Sequence, residues 1–301
     1  MHRIVKTDTD KKRMESSELI KKVRRIEIKT RALSQQIFAG QYHSAFKGRG
    51  MAFSEVRQYN YGDDVRFIDW NVTARFNAPY VKIFEEEREM TVMLLIDVSG
   101  SNLFGTRKQF KSDLITEISA VLSFSAIYNN DKVGVIFFSN EVEKFIPPAK
   151  GKSHILRIIR ELLTYRSTSN QTNIAEALRF LTNVSKRKTT AFLLSDFIDN
   201  DYEQALRIAA SRHDIVALDI VDRGETVLPN VGIVELQDPE TGVRVWTDTA
   251  SKKVRNAYEQ WWNNLNNNTL NTLRKAGVDH TQLFTDTDYV PALLELFRGR
   301  N

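Results

Sequence analysis

The stretch that decides the fold is LLIDVSGSN, Leu94 to Asn102, in which an apolar run ends on Asp97 and is followed by Ser99, Gly100 and Ser101. A short apolar run closed by turn-forming residues predicts a buried strand. In open parallel sheets, ligands bind beyond the carboxyl ends of the strands. Asp97 therefore marks a candidate functional site as well as a strand end. Three kinds of site begin this way: a nucleophile elbow, an aspartyl-phosphate loop and a cation site.

Short apolar runs alternate with stretches of helical periodicity from residue 91 onward. Strands are predicted at Val92–Ile96, Val133–Phe138, Glu141–Ile146, Ala191–Ser195, Ile215–Val221 and His280–Phe284. Helices are predicted at Phe110–Tyr128, His154–Leu163, Asn173–Val184, Tyr202–Ala210, Val254–Ala276 and Val290–Arg298. Continuous apolar strands separated by helices are typical of a parallel sheet covered on both faces. The predicted fold class is therefore α/β, with a mainly parallel sheet and helices on both faces.

Other regions precede or interrupt this α/β domain, which we place at 91–300. Residues 1–38 are predicted to form a basic N-terminal helix. Residues 39–90, which are rich in glycine, aromatic and charged residues, are predicted to form a small β-rich subdomain. Apolar and polar residues alternate on both sides of the turn Asp238–Gly242. That alternation predicts a β-hairpin insertion at about 231–248, which we expect on the edge of the α/β body.

Composition limits the class of protein. The 301 residues are 42% apolar and 27% charged, as in ordinary soluble domains. No apolar run approaches the roughly 20 residues that span a bilayer. We expect no transmembrane segment, no signal peptide and a cytoplasmic location. Because the chain has no cysteine, disulfides and thiolate metal sites are excluded.

The net charge of +5 is concentrated at the N-terminus, where residues 1–31 carry eleven Lys or Arg against five Asp or Glu. A basic segment can bind nucleic acid or anionic lipid. Leu19, Ile20, Val23 and Ile26 instead form an apolar stripe, which favours a solvated helix that packs on the protein. We therefore do not expect nucleic acid as a partner.

Two enzymatic interpretations of the opening stretch lack residues that they need. A serine-hydrolase elbow requires G-x-S-x-G, but Asp97 stands two residues before Ser99. An aspartyl-phosphate enzyme of the haloacid-dehalogenase type would have its acid at the position of Ser99. A Mg²⁺-dependent phosphohydrolase that uses Asp97 or a metal-bound water stays as the alternative.

A cation site is the third interpretation, and later strand ends support it. Mg²⁺ takes oxygen ligands in near-octahedral geometry, and Asp97, Ser99 and Ser101 supply three from one loop. Thr172 comes directly before a predicted helix, and Asp196 directly follows the strand that ends at Ser195. Each of these residues alone is most simply a helix cap or turn former. All five in order on these elements favour a metal site.

The D-x-S-x-S of Asp97, Ser99 and Ser101, with Thr172 and Asp196, resembles the metal-ion-dependent adhesion site of von Willebrand factor A domains. The order of the elements resembles that Rossmann-like fold as well. The resemblance implies that Mg²⁺, or Mn²⁺ or Ca²⁺, is bound directly by Ser99, Ser101 and Thr172. Asp97 and Asp196 would then act largely through water. Asn170 and Gln171 precede Thr172 where many members have glycines.

A narrower resemblance begins upstream, in GRGMAFSEVRQYNYGDDVRFIDWNVTAR, and continues through LLSDF, LPNVGIVELQDPETG and YVPALLELFRGR. Over roughly residues 15–300 the chain resembles the MoxR-associated von Willebrand A family, known as domain of unknown function 58. The resemblance implies a protein-binding adaptor, not an enzyme, that works with a MoxR-type AAA+ ATPase on client proteins and has no small-molecule substrate.

Two further motifs receive structural interpretations. We derive no catalytic role for one motif, and its role is left open. It contains Gly62, Asp63, Asp64, Asp69 and Trp70. We expect its aspartates to form ion pairs with Arg66 and Arg75. The segment AKGKS, Ala149 to Ser153, lacks the first glycine of a P-loop, so we interpret it as a helix entry. ATP binding is therefore expected in a partner.

Overall fold

The computed structural model describes residues 8–34, 52–85, 90–105 and 109–300. The chain divides into two compact units, of which Lys47–Met90 is one and the rest of the chain is the other. The predicted domain boundary between residues 38 and 39 lies outside the described residues. In the described part of the chain, no helix combines the length and apolar composition needed to cross a membrane.

Ten strands and nine α-helices are numbered here in chain order within the described ranges. The strands are β1 (Ala52–Gln58), β2 (Tyr80–Glu85), β3 (Thr91–Asp97), β4 (Lys132–Phe138), β5 (Val142–Ala149), β6 (Thr190–Ser195), β7 (Asp214–Val221), β8 (Ile233–Gln237), β9 (Arg244–Asp248) and β10 (Asp279–Phe284). The helices are α1 (Asp8–Leu33), α2 (Trp70–Phe76), α3 (Lys111–Tyr128), α4 (Lys152–Thr164), α5 (Ile174–Val184), α6 (Glu203–Arg212), α7 (Arg223–Thr226), α8 (Lys252–Lys275) and α9 (Val290–Arg298).

The larger unit is built on a six-stranded sheet in the order β10-β7-β6-β3-β4-β5. All neighbouring strands are parallel except β5, which is antiparallel to β4 at the edge. The chain runs outward from β3 to β5 and then crosses back to β6 on the other side of β3. This reversal creates a topological switch point between β3 and β6, where open α/β sheets bind their ligands.

Both faces of the sheet are covered, which confirms the predicted α/β class. Met93 and Leu95 pack in one core with Leu178 of α5 and Leu206 of α6. Phe192 points to the opposite face, where its ring lies 6.5 Å from that of Phe297 in α9. The apolar runs of the sequence therefore became strands because each was buried from both sides.

The edge strand β5 is longer than predicted. The sequence predicted a strand at Glu141–Ile146, whereas β5 runs from Val142 to Ala149 and includes Pro147 and Pro148. Proline lacks the amide proton of a central ladder, but an edge strand tolerates it. The two prolines therefore did not end the strand.

The predicted hairpin is present as β8 and β9. Among the described strands, these two pair only with each other, in an antiparallel two-stranded sheet separate from the central one. Neither strand contains a buried residue. The hairpin is therefore attached to the body mainly through contacts at its ends.

Within the larger unit, helix α1 packs on α3 and α4 through part of the predicted stripe. Ile26 is buried with Ala120 and Phe124 of α3 and with residues of α4. Ile20, predicted to share that stripe, is 56% exposed, because it projects away from this contact. Lys29 forms an ion pair with Glu117 at 2.6 Å, so part of the basic charge of α1 is neutralised within the chain.

The smaller unit contains the antiparallel pair β1 and β2 and the short helix α2. Its ion pairs join Arg57 to Asp63, Arg66 to Asp64 and Lys82 to Asp69. The prediction named Arg75 as a partner, but Lys82 lies beside Asp69 in its place. Asp69 also accepts hydrogen bonds from the amides of Asn71 and Val72, so it caps α2.

The packing of α1 predicts that Ile26→Ala lowers the free energy of unfolding by about 2 kcal/mol, because it opens a cavity between three helices. Ile28→Ala, on the 65% exposed neighbour, is the matched control and should change it by less than about 0.5 kcal/mol. Urea titration of both variants measures this. Equal values for the two would contradict the described packing.

Candidate metal centre

The predicted site residues converge on the switch point. In the parallel pair of β3 and β6, Ile96 lies opposite Leu194, so Asp97 and Ser195 end their strands side by side. Ser195 Oγ donates a hydrogen bond to Asp97 Oδ2 at 2.6 Å. Asp196 follows directly and lies close enough for its charge to act on Asp97. The two strand-end carboxylates therefore share one neighbourhood.

The loop after β3 holds two hydroxyls next to each other. The amide of Ser99 donates to Asp97 Oδ1 at 2.9 Å, and the Asn102 amide group donates to the Asp97 carbonyl at 3.0 Å. These bonds turn the chain back on itself, and Ser99 Oγ and Ser101 Oγ lie 3.2 Å apart. Ser99 precedes a short 3₁₀ turn, Gly100–Leu103, but its side chain makes no capping hydrogen bond. The hydroxyl of Ser99 is therefore not used as a helix cap.

Thr172 lies on a second loop that packs against the first. The Gly100 amide donates to the Asn170 carbonyl at 3.0 Å, which joins the two loops. Thr172 Oγ1 donates to Glu240 Oε1 at 2.9 Å, and Glu240 belongs to the turn between β8 and β9. The structure thus brings the Thr172 loop to the site. It also gives the Thr172 hydroxyl a carboxylate partner that the sequence had not indicated.

A buried lysine is the main unpredicted component. Lys111, the first residue of α3, is 0% exposed, and its Nζ lies 3.1 Å from Asp196 Oδ2 and 2.6 Å from Glu225 Oε2. Burial lowers the pKa of Lys111, but the nearby carboxylates of Asp196 and Glu225 outweigh it and raise the pKa above its ordinary value. Lys111 therefore stays charged and compensates Asp196.

Among the described residues, no such cation is a hydrogen-bond partner of Asp97. It is 1% exposed, and its carboxylate accepts from a neutral amide and a neutral hydroxyl. The pKa of Asp97 is raised to about 7: burial is the main cause, the charge of Asp196 adds to it, and the bonds from Ser195 and Ser99 oppose the rise. The ionised form of Asp97 is therefore unfavourable without a positive partner.

Asp219 adds a third buried carboxylate to this end of the sheet. It lies opposite Ser195 in the pairing of β6 with β7, and Gln282 Nε2 donates to one of its oxygens at 2.9 Å. The pKa of Asp219 is raised to about 7, mainly by burial. The charges of Asp196 and Glu225 also raise it, while the bond from Gln282 and the charge of Lys111 oppose the rise. Negative charge is thus concentrated at the switch point.

The donors fit a hard divalent cation. All five predicted ligands offer oxygen. In an octahedron with metal–oxygen bonds of 2.0–2.1 Å, neighbouring oxygens are about 3 Å apart. The hydroxyls of Ser99 and Ser101, which are 3.2 Å apart, have nearly this spacing. Asn102 Oδ1, buried beside them, has no hydrogen-bond partner in the described part of the chain and can accept from a metal-bound water. Among the described residues, no three His, Cys, Asp or Glu side chains cluster to hold a metal. A cation here would therefore depend on hydroxyls.

Sequence reasoning missed Lys111, Asp219, Glu225 and Glu240. Asp219 could have been identified from the sequence, because it is a charged residue within the apolar run of β7. The other three lie at a helix start, in a short helix and in a hairpin turn, where charged residues are ordinary. Only the tertiary fold brings them to the site.

The sequence matches one protein-family model and is similar to uncharacterized relatives. The family model described as "Protein of unknown function DUF58" matches residues 55–267. The uncharacterized protein Rv1480 of Mycobacterium tuberculosis is 27% identical over 281 residues, which cover 92% of this chain and 88% of the relative.

Among solved structures, the chain is similar to the conserved hypothetical protein BatB from Bacteroides thetaiotaomicron, with a TM-score of 0.47 and 15% identity. The match covers 70% of this chain and 98% of BatB. The SpRpn10 VWA domain matches with a TM-score of 0.37, 9% identity and coverage of 70% and 95%.

The buried charge of Asp97 predicts a specific pH dependence in EDTA. Because the pKa is raised in the folded state, the folded protein holds this proton more tightly than the unfolded chain does. The contribution to stability is then lost as pH rises from about 4 to about 7. Asp97→Asn should remove that loss and gain stability relative to wild type, on the order of a few kcal/mol, at pH 8 but not at pH 4.

Urea unfolding at the two pH values in EDTA measures the effect. Glu259→Gln, an exposed carboxylate of α8, is the control and should show no such gain. If the difference in the free energy of unfolding between Asp97→Asn and wild type were the same at pH 4 and pH 8, the described burial would be contradicted.

Lys111 predicts a second effect. Lys111→Met should lower the free energy of unfolding by about 3–5 kcal/mol, because Asp196 and Glu225 would keep their burial and lose their cation. Lys253→Met, on an exposed lysine of α8, should change it by less than about 0.5 kcal/mol. Urea titration at pH 7 compares them, and similar stability of the two variants would refute the role of Lys111.

Proposed function

We propose that this chain, which belongs to the DUF58 family of proteins of unknown function, is a metal-dependent protein-binding module. The observation that carries the proposal is the pair of buried hydroxyls, Ser99 and Ser101, placed beside the uncompensated carboxylate of Asp97 at the switch point. Such a set lacks a general base or nucleophile with access to a substrate. It has the oxygen donors that a divalent cation needs.

Mg²⁺ is the proposed ion, with Mn²⁺ or Ca²⁺ as substitutes. Ser99, Ser101 and Thr172 would hold it directly, and Asp97 and Asp196 would hold it largely through water. When bound, the ion supplies a positive centre that attracts a further anionic ligand. The direct ligands are neutral hydroxyls, so the ion keeps most of its charge for that ligand, and a carboxylate of a partner protein has the matching chemistry.

A MoxR-type AAA+ ATPase and its client proteins are the proposed partners. The resemblance of the sequence to the MoxR-associated family supports this choice, in which the chain acts as an adaptor in chaperone-like maturation of other proteins. ATP hydrolysis would then reside in the ATPase. The segment AKGKS in this chain leads into α4 at Lys152 without the glycine pattern of a P-loop.

In this proposal the chain is not an enzyme. A phosphohydrolase could use Asp97 or a metal-bound water as its nucleophile, and the first route is disfavoured because Asp97 is 1% exposed. Both of its carboxylate oxygens already accept hydrogen bonds, from the Ser99 amide and the Ser195 hydroxyl. Burial and hydrogen bonding both favour a structural and electrostatic role for this carboxylate.

Binding to a MoxR-type ATPase from the same genome, measured by calorimetry in Mg²⁺ and in EDTA, tests the proposal. We expect at least about tenfold weaker binding in EDTA, and a similar loss for the double variant Ser99→Ala, Ser101→Ala in Mg²⁺, because the bridging ion is no longer held. Ser211→Ala, on an exposed serine of α6, is the control and should bind like wild type. Equal affinity in Mg²⁺ and EDTA, with the double variant unaffected, would refute the metal bridge.

A further inference from the structure

The turn between β8 and β9 lies on the loop that carries the predicted ligands. If Gly100 had a Cβ, that atom would lie 2.7 Å from the carbonyl oxygen of Pro239 and 3.0 Å from Asn170 Cβ. Atoms this close cannot be accommodated, so the absence of a side chain at Gly100 allows the turn to approach. The hairpin is thus fitted to the candidate metal centre.

This contact brings a carboxylate to the site. Glu240 is half-buried, and its Oε1 accepts the hydrogen bond from Thr172 Oγ1, the hydroxyl proposed as a direct ligand. The turn that carries Glu240 also lies against Gly100, which stands between the predicted ligands Ser99 and Ser101. Partial burial of a carboxylate is unfavourable unless a cation compensates its charge.

Hydrogen bonds within the turn fix the backbone that carries Glu240. Asp238 Oδ1 accepts from the Glu240 amide at 2.9 Å, and Asp238 Oδ2 accepts from Thr241 Oγ1 at 2.6 Å. Gly242 closes the turn with a φ of +71°, a conformation that favours glycine. Local hydrogen bonds therefore fix the backbone of the turn at Glu240, and the Glu240 side chain itself accepts the hydrogen bond from Thr172.

We infer that Glu240 is an internal carboxylate ligand of the candidate metal centre and occupies the position that a partner's carboxylate would take. The inference rests on the proposed function, since it concerns the same ion. With Glu240 in place, the site is closed, and capture of a partner requires the turn to move away. The hairpin has no buried residue in either strand, so little packing opposes that movement.

Titration of the full chain with Mn²⁺ alone tests the inference, with free Mn²⁺ measured by electron paramagnetic resonance. Water-proton relaxation reports the number of waters on the bound ion. Glu240→Gln keeps an oxygen that accepts from Thr172 but removes the charge. It should weaken Mn²⁺ binding by about tenfold or more and add about one water to the ion, because a neutral amide is a poor ligand for it.

Glu235→Gln is the matched control on the same hairpin, because Glu235 is exposed and faces Arg244 at 3.6 Å. It should bind Mn²⁺ with wild-type affinity and hydration. Glu240→Asp retains the charge on a shorter side chain and should fall between wild type and Glu240→Gln. Circular dichroism and thermal unfolding check that each variant folds.

Acetate provides a second readout as a small substitute for a partner's carboxylate. In the Mn²⁺ complex of Glu240→Gln, added acetate should displace water and lower the relaxation enhancement. In the wild-type complex, Glu240 holds that position, and the same acetate concentration should have a much smaller effect.

The outcomes separate this inference from the proposed function. In one outcome, the wild type binds Mn²⁺, Asp97→Asn abolishes the binding, and Glu240→Gln matches Glu235→Gln in affinity and hydration. This outcome would overturn the role of Glu240 and support the metal centre. A wild-type chain that binds no Mn²⁺ would overturn both. Weaker binding and an added water in Glu240→Gln alone would establish the internal ligand.

Discussion

The buried carboxylate of Asp97 is the group on which the arrangement of the site depends. Parallel pairing of β3 with β6 places it beside Ser195 and near Asp196, where water is excluded and the hydrogen-bond donors are neutral. An ionised group in such surroundings costs several kcal/mol unless it is protonated or paired with a cation. The strand order reverses at this point and buries the Asp97 carboxylate there. A bound metal ion would supply the positive charge that this carboxylate lacks.

Much of the fold could be predicted because its determinants are local. The central strands are short, largely apolar runs, and the Asp97 loop is read directly from consecutive residues. The end of β5 was predicted too early because it depends on the neighbouring strands. Pro147 and Pro148 are compatible with a strand only because β5 lies at the edge of the sheet.

The charge balance of the site could not be predicted, because it depends on contacts between distant parts of the chain. Lys111 lies 85 residues before Asp196, and Thr172 lies 68 residues before Glu240. A lysine at the start of a helix and a glutamate in a turn are ordinary surface residues by local pattern. Only the fold shows that Lys111 is fully buried and that Glu240 faces the predicted ligands.

An internal ligand changes what a partner must provide. A ligand shifts an equilibrium between two states only by the difference in its affinity for them. A partner carboxylate that merely replaces Glu240 exchanges one carboxylate for another at the ion, so the exchange gives little net free energy. Productive capture must therefore include contacts beyond the ion that favour the displaced hairpin. Free carboxylates in solution lack such contacts, and a closed site of this kind would reject them while remaining available to a specific protein.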